Sequence, residues 1–83
     1  MARFRIAIGA QAERDLLSIP FPMRRSINQR IRRLQDEPRP TGWVQVGTED
    51  AACLVLHGYE LLYSIDEAGA TVTIVAILPL PAS

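Results

Sequence analysis

Apolar and polar residues alternate from the start of the chain, where Phe4, Ile6 and Ile8 are interleaved with Arg3, Arg5 and Ala7. A period of two is that of a half-buried strand whose charged side chains face water. Gly9 ends the alternation and the period lengthens. Ala12, Leu16 and Ile19 recur at spacings of four and three, which predicts a short helix over 10–19 that stops at Pro20 and Pro22. Met23, Ile27, Ile31 and Leu34 then follow spacings of four, four and three and fall within one narrow arc. They predict a second helix over 22–36, opened by Pro22, where a missing N–H costs nothing. The proline-rich segment 36–42 cannot continue it, so the two helices form a hairpin.

Beyond the connector the period returns to two and β-branched residues become frequent. Strands are predicted over 43–46, 52–56, 59–65 and 71–78, with turns at 47–50 and 66–70. His57 and Gly58 form a two-residue hairpin loop in which Gly58 takes a positive φ. Residues 71–78 are apolar at successive positions, the pattern of a central strand covered on both faces. The expected fold is α+β: an N-terminal strand, a helical hairpin, then a mainly antiparallel sheet of three to four strands.

The chain has 83 residues and is read as a single domain over 1–83. A domain this small buries only about 60% of the surface its unfolded chain exposes, so a stabilising partner suits it. Cys53 is its only cysteine and His57 its only histidine, which removes intramolecular disulfides and four-ligand Cys/His zinc sites from consideration. No metal and no cofactor are expected. The apolar run 72–80 is short and broken by proline, and the N-terminus lacks the apolar core of a signal peptide. A cytoplasmic protein with no membrane association is the expectation.

Charge changes this picture. The net charge is zero, yet all nine basic residues are arginines within the first 39 positions, against four carboxylates there. The remaining 44 residues carry five carboxylates and no Lys or Arg, so the two parts hold +5 and −5. One basic surface suited to phosphates or to an acidic peptide follows. Arg24, Arg25, Arg30, Arg32, Arg33 and Arg39 are the candidates for it, because guanidinium groups hold carboxylates and phosphates in a bidentate way that lysine does not.

Candidate chemistry is sparse. His57 is the one side chain that titrates near neutral pH and is either a catalytic acid–base group or a turn residue at solvent. Glu60, between apolar neighbours on a strand, is either its partner in catalysis or the structural partner of an arginine on the second helix. Cys53 reads as a strand cysteine, Tyr59 and Tyr63 as core residues sharing a face with Leu61 and Ile65, and Trp43 as a loop-boundary aromatic whose role stays open.

Three stretches in order carry a resemblance: 12–20 (AERDLLSIP), 31–34 leading into 36–40 (IRRL, then DEPRP), and 58–63 (GYELLY). Together they resemble the RelE/ParE superfamily of bacterial type II toxins, over roughly residues 6–77. The resemblance implies a toxin held inactive by a cognate antitoxin. Such toxins bind RNA and inhibit translation by cleaving ribosome-bound mRNA or, in the ParE branch, inhibit DNA gyrase; a homodimer is compatible with either. The family's ribonuclease site places basic residues on the sheet, an Arg after the strand tyrosine, and an Arg or His and a Tyr near the C-terminus. This chain has Cys53, Val55 and Glu60 at the first places, and Leu78, Pro79, Leu80 and Pro81 at the last. Transesterification by a ribose hydroxyl needs a base, an acid and cations, the first two each worth about 10² to 10⁴ in rate, and a carboxylate does not replace a cation. The expectation is therefore an antitoxin-binding member with mRNA cleavage weak, altered or lost, its partner's chain lying on the exposed face of the last two strands. The alternatives are an active endoribonuclease built on His57 and Glu60, a gyrase inhibitor, and a non-catalytic interaction module.

Overall fold

The computed structural model describes residues 3–47 and 50–81. Its elements run β1 (Arg5–Ile8), α1 (Ala10–Leu17), α2 (Phe21–Arg33), β2 (Val44–Gln45), β3 (Ala51–Leu56), β4 (Tyr59–Asp66) and β5 (Thr71–Pro79). The five strands of the described residues join one sheet in the order β1-β5-β4-β3-β2, one more than the three to four expected for the sheet, because β1 joins it. β1 runs parallel to β5 and the other pairs are antiparallel. The helical hairpin is the crossover that returns the chain to the sheet.

Alternation along the strands decides which face the helices cover. Leu54 on β3, Leu61, Tyr63 and Ile65 on β4, and Val72, Ile74 and Ile77 on β5 form one core with Ala12 and Leu16 of α1 and Ile27 and Ile31 of α2. Ile27, Val72 and Ile74 are completely buried. Tyr59 packs against the same cluster, half-buried, as its shared face with Tyr63 implies. β5 lies between β1 and β4, as its apolar run predicted, but only one of its faces is covered: Val75 on the other side is 49% exposed.

Two details fix how α1 sits. Gly9 donates its N–H to the Ile74 carbonyl at 2.9 Å, and a Cβ at this position would lie 3.1 Å from that oxygen, so the turn admits no larger residue without movement. β1 pairs with β5 only as far as Ile8 opposite Ile74. Further along, the Asp15 carboxylate accepts the Ile77 N–H at 2.9 Å and replaces the missing strand. α1 is thereby tied to β5 by a charge-assisted bond.

Several boundaries moved. α2 starts at Phe21, with Pro22 second, and ends at Arg33, after which residues 34–36 form turns that still bury Leu34. β2 shrinks to two residues, and part of the expected 47–50 turn, Thr48 and Glu49, lies outside the described residues. The 57–58 loop is present, with φ of 52° at His57 and 83° at Gly58, the left-handed pair that a two-residue turn with the strands' own twist requires.

Candidate functional site

One face of the sheet carries no helix, and its side chains are partly exposed. The β3–β4 register places Val55 directly opposite Glu60 and Cys53 opposite Leu62, while Glu60 and Leu62 pair with Leu78 and Ala76 of β5. Val44 of β2 pairs with Cys53 and extends the same row. A bulge shifts β5 here: Tyr63 pairs with Ile74 and Leu62 with Ala76, leaving Val75 as the extra residue. Val44, Val55, Val75 and Leu78 are between 42% and 60% exposed. Around Glu60 the face is aliphatic, while its far end carries Ser64 and Asp66 of β4, Thr71 and Thr73 of β5 and Arg5 of β1.

Glu60 is half-buried, and its Oε1 accepts a hydrogen bond from the Cys53 thiol at 3.1 Å. The expected ion pair between Glu60 and an arginine of α2 is not formed, because Glu60 alternates with Leu61 and so projects from the face opposite the helices. Among the described residues no basic side chain pairs with it. Burial and the neighbouring carboxylate push the Cys53 thiol up to about 11. The thiolate needed for nucleophilic attack is therefore scarce at neutral pH. Alkylation of Cys53 by iodoacetamide at pH 8 is expected to run about tenfold slower than that of a free thiol, and faster in Glu60→Gln; a rate equal to free thiol would contradict this environment.

His57 is exposed at the hairpin tip, and among the described residues no hydrogen bond joins it to Glu60, whose partner is Cys53. The arginines are dispersed rather than gathered. Arg24 donates from Nε and Nη2 to the Ile19 carbonyl, at 3.3 and 3.1 Å, and lies over the Phe21 ring, bracing the turn between the helices. Arg39 pairs with Glu67 at 2.6 Å and stacks 5.6 Å from the centre of the Trp43 ring, which gives that aromatic a structural partner. Arg25 and Arg32 flank a groove of roughly 320 Å³ against Ile6 and Ile8 of β1. Arg30 and Arg33 flank another of roughly 240 Å³ against Leu34 and Leu54. Arg25, Arg30, Arg32 and Arg33 thus border grooves on the helix side, and Glu60 lies on the open face at the end remote from Arg5.

No known family model matches the sequence, and no curated protein sequence matches it. Solved structures do. A chain of the archaeal RelE–RelB complex from Pyrococcus horikoshii superposes with a TM-score of 0.86 at 23% identity, over 98% of this chain and 99% of that one. The chain has the RelE fold. The isolated E. coli RelE toxin matches with a TM-score of 0.84 at 16% identity, covering 96% of this chain and 87% of that one. A chain of the RelBE2 toxin–antitoxin complex of Mycobacterium tuberculosis matches with a TM-score of 0.81 at 22% identity, over 93% and 98%. The RelE likeness spans the strand, the hairpin and the sheet together, the extent over which the sequence resemblance ran.

Sequence reasoning missed the Cys53–Glu60 contact, although its signal was available. Once the 57–58 loop is accepted, counting back from it sets Glu60 against Val55 and makes Cys53 its diagonal neighbour. The roles of Asp15 and Arg24 as helix fasteners had no such signal, since they depend on where β1 stops and on how α1 meets α2.

Proposed function

We propose that this chain is a RelE-like toxin that is held by an antitoxin, with ribosome-dependent mRNA cleavage weak or lost. The observation that carries the reading is the pairing of a RelE fold with an open sheet face that presents Cys53, Val55 and Glu60 and, among the described residues, no cation paired with that carboxylate. Stabilising a phosphorane needs positive charge or aimed donors within hydrogen-bond reach. A carboxylate at that place instead repels the incoming phosphodiester. The arginines that do exist serve a different purpose: Arg25 and Arg32 border an apolar groove on the helix side, and Arg30 and Arg33 a mixed one that also holds Glu37, where they suit the carboxylates of a partner chain or a nucleic-acid backbone.

Mapping of cellular mRNA 5′ ends within minutes of inducing the protein tests the reading, with growth recorded. Intact messages are the expected result. New ends clustered inside translated codons would overturn the loss of cleavage and return His57 and Glu60 to candidacy as acid and base.

A further inference from the structure

We infer that the open sheet face docks an apolar segment of the antitoxin that carries a single Lys or Arg, and that Glu60 receives this residue. The inference rests on the toxin–antitoxin reading and adds the chemistry of the contact. Four exposed aliphatic side chains, Val44, Val55, Val75 and Leu78, lie on or beside the rows that also hold Cys53, Leu62 and Ala76. Aliphatic groups on neighbouring strands make a continuous patch, and such patches on small proteins mark interaction sites. Water-filled RNA grooves are lined differently, by cations and stacking aromatics.

Glu60 selects the occupant. A carboxylate set among aliphatic neighbours loses solvation, and the one donor it has is a thiol, a weak one. Both of its oxygens keep acceptor capacity toward the open side. Arg5, the basic residue of β1 on this face, pairs in register with Thr71 at the opposite end of β5 from Leu78 and Glu60, and among the described residues no arginine forms an ion pair with Glu60, so the cation that completes this site comes from another molecule. Seating an apolar segment over the face removes the remaining water and strengthens the pairing of that cation with Glu60. The same burial makes a neutral or acidic residue at that point unfavourable, so Glu60 sets both register and specificity.

The test uses the full chain and the protein encoded by the adjacent gene, purified separately, with dissociation constants read by titration calorimetry. Glu60→Gln is expected to weaken binding about tenfold and Glu60→Arg a hundredfold or more, both with unchanged thermal unfolding. Replacing the docked basic residue of the partner by glutamate is expected to abolish binding to the wild-type chain and to restore it to Glu60→Arg, a result that needs no variant of this protein to be judged alone. The bound partner also shields the Cys53 thiol from alkylation at pH 9. Glu60→Arg binding within threefold of wild type, or Cys53 alkylated equally fast in the complex, overturns the inference while leaving the toxin–antitoxin reading intact. No binding by the wild-type chain overturns both.

Discussion

Replacing Ile27 by alanine is expected to destabilise the protein by about 2 to 5 kcal/mol, enough to unfold much of a domain of this size. Ile27 is completely buried at the middle of α2, within the cluster that joins both helices to β3, β4 and β5. Removing its branched side chain forfeits transfer free energy and leaves a cavity that neighbours on the helices and the sheet cannot all move to fill. Urea denaturation followed by circular dichroism checks it. Leu17→Ala supplies the contrast: this leucine is 72% exposed on α1, and its truncation is expected to stay within about 0.5 kcal/mol. Equal losses in the two variants would mean that the core is not where the alternation puts it.

The second large effect is an alkaline one. Tyr63 is buried, donates its hydroxyl to the Pro38 carbonyl at 2.7 Å, and has its pKa pushed up to about 12 by burial. An unfolded tyrosine titrates near 10. Between those values the unfolded chain has given up the phenolic proton and the folded chain still holds it, so the unfolded state binds fewer protons and stability falls as pH rises. The contribution is fully present below pH 10 and declines by about 2 to 3 kcal/mol on passing to 12. Cys53, raised from 9 to about 11, adds a slope of the same sign at lower pH, smaller because it is partly exposed. On a Cys53→Ala background, urea midpoints at pH 9, 10 and 11 are expected to fall steadily above 10. Tyr63→Phe is expected to lower stability at neutral pH by about 1 to 2 kcal/mol, through the orphaned Pro38 carbonyl, and to abolish that alkaline slope. A slope that survives in Tyr63→Phe would assign it to other groups.

The same tyrosine explains why the connector is ordered around its prolines. Residues 36–42 have little apolar surface of their own, and the Pro38 carbonyl finds a donor only because β4 brings Tyr63 beneath it. Arg39 follows immediately and reaches Glu67 beyond β4 while covering Trp43. The exposed Arg39–Glu67 pair adds little stability in water. Its consequence is for function: an arginine engaged there is not on hand for chemistry at the open face.

Element types and their order were readable in the chain because periods of 2 and 3.6 report which side of a segment is buried, whatever it is buried against. Phe4 and Ile6, the arc of Ile27, Ile31 and Leu34, and the alternating Leu61, Tyr63 and Ile65 each announced their inner face, whereas Ile8 at the end of β1 stays exposed, and the absence of any cation after Arg39 announced an acidic second half. Local rules could not say that β1 joins β5, that the face bearing Glu60 stays uncovered, or that Glu60 meets a thiol instead of an arginine. Those facts depend on strand order and on which side the helical hairpin folds over, and both arise from contacts between residues far apart in sequence. The sequence by itself determined the elements, their buried sides and the charge asymmetry; only the tertiary structure decided which charges meet, because Coulomb and hydrogen-bond terms act through distances that the packing of distant segments sets.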